Sequence, residues 1–213
     1  MTAADYLPGR VSLPSLRDAV QGCRGCPLFQ RATQAVFGEG RARARAMMVG
    51  EQPGDEEDVV GRPFVGPAGR LLDDMMEAAG LPRDQVYVTN AVKHFKWTPR
   101  GKRRMHQKPS SSEVEACRPW LEAELAAVQP EVLMVLGATA AQSLLGRKFR
   151  VTQSRGALFV SPFARHTLAT VHPSSLLRIP DQEERRAARR EFVRELALVA
   201  AVLNPAAGAS AQR

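Results

Sequence analysis

The chain contains no uninterrupted apolar stretch long enough to span a bilayer, and its first ten residues, MTAADYLPGR, lack the apolar core of a secretion signal. We therefore expect a cytoplasmic protein with no membrane partner. Hydrophobic residues make up 44% of the 213 positions, which is enough for one substantial core. A single domain over residues 1–213 is predicted, and we expect it to be a monomer.

Cysteine is scarce, with only three residues in the whole chain. Three thiols cannot all pair within one chain. Reduced cysteines in the cytoplasm more often bind metal or carry out redox chemistry. The few cysteines therefore point to a metal or redox site.

Acidic residues are outnumbered by basic ones. The chain has 22 Asp and Glu against 30 Lys and Arg, a formal net charge of +8. Such a balance favours a polyanionic partner such as nucleic acid, although charge also serves solubility.

Four short apolar runs predict buried strands, at residues 46–49, 86–89, 132–136 and 167–171. Helical patterns lie between and after them, near residues 68–79, 112–128, 138–145 and 181–203. Strands that alternate with helices predict an α/β fold, with a mostly parallel four-stranded sheet covered on both faces. A short helix within residues 1–30 precedes the first two cysteines, and the small polar residues 204–213 predict a flexible tail.

Polar residues follow the strands directly. Glu51, Asn90 and His172 each come at or just after the end of a different strand. Ligands of open α/β sheets bind outside the carboxyl ends of the strands, so we expect these three side chains to share one pocket. Phe64 lies among turn-forming residues shortly before a helix and is either a base-stacking ring or an ordinary core residue.

Residues 95–112 form a basic segment that predicts a long ordered or semi-ordered loop. His106 lies within it, and on charge alone the segment is either a DNA-contacting loop or a solvated one. A second cluster of interest combines Cys23, Cys26 and Cys117 with His94. Three thiols and an imidazole suit zinc first and an iron–sulfur cluster second, while unligated thiols are the alternative.

Five ordered blocks carry a family resemblance: GEQPGDEED from Gly50, GRPFVGPAGRLL from Gly61, TNAVKHF from Thr89, CRPWL from Cys117 and HPSSLLR from His172. Together they resemble the family 4 uracil-DNA glycosylases. The insert GKRRMHQKPS from Gly101 resembles the basic loop of UdgX, a relative that cross-links to uracil-containing DNA. Gln52 also fits this subtype, because the turnover enzymes usually have a small residue there.

The resemblance implies a three-layer α/β/α fold and a [4Fe–4S] cluster, distant from the chemistry, on Cys23, Cys26, His94 and Cys117. His94 departs from the usual four cysteines of family 4. The implied catalytic residues are Glu51, His106 and His172. The implied uracil-binding residues are Gln52, Asp55, Phe64 and Asn90, and the implied DNA-binding residues are Lys102, Arg103, Arg104, Ser174 and Arg178.

By the same resemblance, the substrate is uracil in DNA, either single-stranded or flipped out of a duplex. His106 would attack C1′ of the sugar in place of water and leave a covalent adduct. Two alternatives stay open: a conventional glycosylase that turns over, and a non-catalytic iron–sulfur protein that binds single-stranded DNA.

Overall fold

The computed structural model describes residues 2–205. Its strands are β1 Ala46–Gly50, β2 Val86–Asn90, β3 Trp97–Arg100, β4 Arg103–His106, β5 Val132–Leu136, β6 Leu158–Phe159 and β7 His166–Thr170. Its α-helices are α1 Leu13–Val20, α2 Asp55–Val60, α3 Pro67–Ala78, α4 Ser111–Val128, α5 Ala138–Leu145, α6 Val151–Ser154, α7 Pro173–Leu177 and α8 Gln182–Leu203. Short 3-10 helices cover Ala3–Tyr6, Pro27–Gln30 and Arg83–Gln85.

The central sheet has five strands in the order β2-β1-β5-β7-β6. The first four are parallel and correspond to the four predicted strands, while β6 pairs antiparallel with β7 at one edge. The predicted count of four was therefore one too low. The additional strand, Leu158–Phe159, is only two residues long, which is too short to leave a pattern in the sequence.

Helices cover both faces of this sheet, as the α/β/α prediction requires. Successive side chains of a strand point to opposite faces, and β1 shows the result. Met47 and Val49 pack in one apolar cluster with α1, α4 and α5, whereas Ala46 and Met48 pack in another with α3 and α8. All five residues of β1 are buried, as expected for a parallel strand covered on both sides.

The basic segment is a β-hairpin rather than the predicted loop. β3 and β4 pair antiparallel from Trp97 opposite His106 to Arg100 opposite Arg103. Gly101 occupies the two-residue turn with φ of 59°, a left-handed conformation that glycine adopts without strain. The charges and the proline of this segment hid the strand pattern, and the pairing places His106 at the end of β4, where the hairpin rejoins the domain.

The predicted tail of residues 204–213 lies outside the described residues from position 206 onward. Within residues 2–205 the structure has no helix that is both long enough and apolar enough to cross a membrane.

Candidate active site

A cavity of about 930 Å³ opens at the carboxyl ends of the parallel strands. Glu51 after β1, Asn90 at the end of β2 and His172 after β7 all line it, together with Phe64 and His106. The predicted convergence of the three strand ends is confirmed. The strand order explains it, because β5 lies between β1 and β7 and brings their ends to either side of one opening.

Glu51 connects the strand ends to the hairpin. Its Oε1 lies 3.4 Å from Nε2 of His106, and its side chain is 24% exposed. Its Oε2 accepts a hydrogen bond from Oγ1 of Thr139. The separation from His106 is longer than an ordinary N–H···O hydrogen bond, so the carboxylate and the imidazole face one another without a direct bond.

The side chain of His106 is 51% exposed, and its ring lies against that of Phe95, with 6.1 Å between the ring centroids. Burial lowers the pKa of His106, with the positive charge of Arg178 acting in the same direction and Glu51 opposing. His106 is therefore a neutral imidazole at neutral pH, and its Nε2 faces Glu51.

His172 has a defined tautomer. Its Nδ1 accepts from the backbone N–H of Ser174 at 3.2 Å and lies 2.9 Å from Oγ of Ser174. Arg178 donates to that hydroxyl at 2.7 Å, which leaves the hydroxyl proton free to point at Nδ1. The proton of the neutral ring is therefore on Nε2.

The ring of His172 is also uncharged at neutral pH. Burial lowers the pKa of His172 to about 4, with smaller contributions from Arg178 and His106. The ring stacks with Phe64 at 6.1 Å between centroids. Ser174 and Arg178 thus act on His172, in addition to lining the cavity.

Phe64 and Asn90 flank Gly50 at the floor of the cavity. A side chain at position 50 would place Cβ 2.4 Å from Oδ1 of Asn90 and 2.8 Å from Cζ of Phe64. Phe64 itself has a φ of 57°, a strained conformation for a residue with a bulky side chain. Such strain is frequent at binding sites, and Phe64 both packs in the apolar core and lines the cavity.

Asn90 is 3% exposed, and its carboxamide makes no hydrogen bond to any residue in the range 2–205. Buried amides are normally satisfied by the protein. A buried amide that faces a cavity without a protein partner is available to a planar ligand.

Gln52, which was predicted to bind uracil, lines the cavity, and its side chain bonds to the hairpin. Its Nε2 donates to the carbonyl groups of Lys96 at 3.2 Å and Gln107 at 3.0 Å, and its Oε1 accepts from the N–H of Lys96 at 3.1 Å. Lys96 precedes β3 and Gln107 follows β4. The Gln52 side chain therefore joins the two ends of the hairpin and holds them beside the cavity.

Arg104 was expected on the phosphates, but its guanidinium group is engaged inside the protein. It bonds to the fully buried carboxylate of Asp58 at 2.6 Å and to Asp55 at 2.5 Å. It also lies over the rings of Phe95 and Trp97, 5.6 Å from each centroid. Arg104 therefore anchors the hairpin to α2, and charge alone could not distinguish this role from DNA binding. Asp55, which was predicted to bind uracil, lines the cavity and bonds to Arg104.

Lys102 and Arg103 lie at the turn of the hairpin, are exposed, and form no ion pair within the part of the chain that the structure describes. Neither residue lines the cavity, whereas Lys108 does. The turn of the hairpin thus carries two exposed cations outside the cavity.

The three thiols lie near one another. Cys117 is on α4, and Cys23 and Cys26 are in the N-terminal segment after α1. Cys117 accepts a hydrogen bond from the backbone N–H of Lys93 at 3.3 Å, and Cys23 accepts one from Nε1 of Trp120 at 3.2 Å. Burial raises the pKa of Cys117 to about 12, and the neighbouring thiols of Cys26 and Cys23 add to this effect.

The predicted metal site combines three thiols with the imidazole of His94. Among residues 2–205 the structure shows no group of three or more Cys, His, Asp or Glu side chains close enough together to hold a single metal ion. Soft sulfur donors with N–H···S hydrogen bonds suit an iron–sulfur cluster. Burial lowers the pKa of His94 to about 4, which leaves the neutral imidazole that a metal requires.

A buried ion pair next to Asn90 was not predicted. Lys93 and Glu124 are both fully buried and bonded to each other. The ammonium group of Lys93 also donates to the carbonyl of Asn90 at 2.8 Å and to Thr89 at 2.7 Å. The pair thereby holds the backbone of Asn90 in place. The feature of the sequence that could have indicated it is a lysine directly after the apolar residues Ala91 and Val92.

Known proteins of similar sequence match the part of the chain that carries this cavity. Residues 37–197 match the profile of the uracil DNA glycosylase superfamily. The Type-4 uracil-DNA glycosylase of Sulfurisphaera tokodaii is 37% identical over 197 residues, covering 88% of this chain and 86% of that protein. The Type-4 uracil-DNA glycosylase of Thermotoga maritima is 39% identical over 170 residues, covering 79% and 85%. The Type-5 uracil-DNA glycosylase of Thermus thermophilus is 34% identical over 170 residues, covering 71% and 73%.

Proposed function

The chain belongs to the uracil-DNA glycosylase superfamily, and from this premise we propose that it excises uracil from DNA and then stays covalently attached to the sugar through His106. The observation that supports the second step is the position of the His106 imidazole, 3.4 Å from Glu51 at the wall of the cavity. The rest of the cavity supplies the groups for the first step.

Recognition of the base is assigned to Phe64 and Asn90. The ring of Phe64 stacks on uracil, and the free carboxamide of Asn90 meets its Watson–Crick edge. Oδ1 accepts from N3–H while Nδ2 donates to O4, a pattern that cytosine reverses. The bond from Lys93 to the carbonyl of Asn90 holds the strand end that carries this amide, so discrimination does not depend on a mobile loop.

Bond cleavage is assigned to His172 and Glu51. As the C1′–N1 bond breaks, its electron pair leaves with the uracil, and negative charge develops on O2. The Nε2–H of neutral His172 donates to that oxygen. The carboxylate of Glu51 stabilises the positive charge that develops on the sugar.

Capture is assigned to His106. Its Nε2 lone pair forms a new bond to C1′ as uracil departs with the electron pair of the broken C1′–N1 bond. A neutral imidazole held beside the reacting centre has a high effective concentration compared with water. This advantage requires a rigid hairpin. Gln52 supplies rigidity by holding the two ends of the hairpin together, and Arg104 by bonding the hairpin to α2.

The reaction of the purified protein with a uracil-containing oligonucleotide tests the proposal. We expect one equivalent of free uracil and a protein–DNA band that survives detergent and heat. Because the pKa of His106 lies below its usual 6.5, its nucleophilic neutral form persists below pH 6.5, and adduct yield should fall only as the pH drops through this lowered value. Multiple turnovers with abasic DNA would identify a conventional glycosylase. Binding without uracil release, equal for uracil-free DNA, would identify a non-catalytic protein.

Phosphate binding is assigned to Lys102, Arg103 and Arg178, and not to Arg104. We expect Arg103→Ala to lower the slope of log affinity against log salt concentration by about one. Arg104→Ala serves as the matched comparison. It should leave this slope unchanged and instead reduce adduct yield, because it frees the hairpin and leaves the carboxylate of Asp58 without its cation. Equal slopes for Arg103→Ala and wild type would contradict this division of roles.

The thiol site is assigned to a [4Fe–4S] cluster held by Cys23, Cys26, Cys117 and His94, which would supply structural cross-linking between the N-terminal segment and α4. Protein prepared without oxygen should be brown and contain iron. Cys117→Ala should lower the melting temperature more than it lowers the rate of uracil release per folded molecule. Colourless protein with stoichiometric zinc would contradict the assignment.

A further inference from the structure

The two carboxylate oxygens of Glu51 have different surroundings. Oε1 faces His106 across 3.4 Å, whereas Oε2 accepts the hydroxyl hydrogen of Thr139. A donor on one oxygen fixes the plane of a carboxylate and therefore the direction of the other oxygen. Among the described residues, Thr139 is the one whose side chain donates to this carboxylate.

The sheet, rather than a flexible loop, determines the position of Thr139. It is the second residue of α5 and is 7% exposed. The turn into this helix uses Gly137, whose φ is 88°, and a Cβ there would lie 3.2 Å from Cβ of His172. Since β5 lies between β1 and β7, the start of α5 is enclosed between Glu51 and His172.

We propose that Thr139 is a positioning residue of the reaction, which acts through Glu51 by holding Oε2 so that Oε1 addresses the sugar and His106. The inference rests on the proposed function and extends it to a residue outside the blocks of sequence that carry the family resemblance. Without the hydroxyl, Oε2 loses its protein donor, and the carboxylate is free to turn away from C1′. Loss of one hydrogen bond to a charged group should slow cleavage by about 10- to 100-fold.

The test compares Thr139→Val, which keeps the shape and loses the hydroxyl, with Thr139→Ser, which keeps the hydroxyl. Ser143→Ala is the matched control, because this hydroxyl of the same helix donates to the carbonyl of Ala140 and lies outside the cavity lining. Single-turnover release of uracil is measured for each variant at saturating protein. Affinity is measured separately on an oligonucleotide with 2′-fluorinated deoxyuridine, whose glycosidic bond resists cleavage.

We expect Thr139→Val to be slow, Thr139→Ser to recover most of the rate, and Ser143→Ala to match wild type, with affinity and melting temperature unchanged throughout. In a Glu51→Ala background, Thr139→Val should cause no further loss, which a general structural role would not produce. If Thr139→Val does not fold, Thr139→Ala replaces it.

Three results overturn the inference. Wild-type rates in every folded hydroxyl-free variant, or additive losses with Glu51→Ala, reject Thr139 as a positioning residue and leave the glycosylase proposal standing. Absence of uracil release by the wild type rejects the proposed function and the inference together.

Discussion

Replacement of His106 by serine is expected to abolish the protein–DNA adduct while uracil release continues. The groups assigned to bond cleavage are Glu51 and His172, and the substitution removes neither. The space vacated by the imidazole, beside Oε1 of Glu51, admits water to C1′. The product should then be free uracil and an abasic site, and the protein should become capable of more than one turnover.

His166→Ser is the matched control for this experiment. His166 begins β7 at the opposite end of the strand from His172 and does not line the cavity. It should form adduct at the wild-type yield. Mass spectrometry of the digested wild-type complex should locate the deoxyribose on the peptide that contains His106. A sugar on a different residue, or an undiminished adduct in His106→Ser, would reject His106 as the nucleophile without affecting the glycosylase assignment.

The convergence of Glu51, Asn90 and His172 was predictable because each follows an apolar run that the sequence marks clearly. The burial of the strand and the exposure of its end are both local properties. The same holds for α8, whose Phe192, Leu196 and Val199 recur at helical spacing and are all fully buried. Local patterns thus predicted the sheet and the part of the site that lies on the ends of its strands.

The supports of the site were not predictable, because their partners are distant in the sequence. Gln52 bonds to a residue 44 positions away, and Thr139 to one 88 positions away. Arg104 illustrates the same limit. A cation in a basic segment has the same sequence signature whether it contacts phosphate or pairs with a buried carboxylate such as Asp58. Only the fold decides between these partners.

In the proposed function, the hairpin has two parts with different roles and is not one basic surface. Its turn carries the free cations Lys102 and Arg103, while its base, held by Gln52 and Arg104, carries His106. A long flexible loop would also bring a histidine to the cavity, but with a lower effective concentration at C1′. This division explains why the anchoring residues and the phosphate-binding residues should respond differently to substitution.

Replacement of His172 by alanine is expected to slow both uracil release and adduct formation by about 100- to 1,000-fold, the usual loss when one donor to a developing oxyanion is removed. Both outcomes follow the same cleavage step, so their ratio should not change. In this respect His172 differs from His106, whose loss changes the ratio and spares the cleavage.

The protonation state of His172 gives this prediction a second test. Because burial lowers its pKa to about 4, the ring stays neutral between pH 8 and pH 6, and its strength as a donor is constant over this range. Uracil release measured in the His106→Ser variant should then show no increase as the pH falls from 8 to 6. An increase that disappears in the His106→Ser, His172→Ala double variant would show that the imidazolium form of His172 is the active donor. The bonds from Ser174 to Nδ1 favour the neutral ring, since a protonated Nδ1 could not accept the backbone N–H that lies 3.2 Å away.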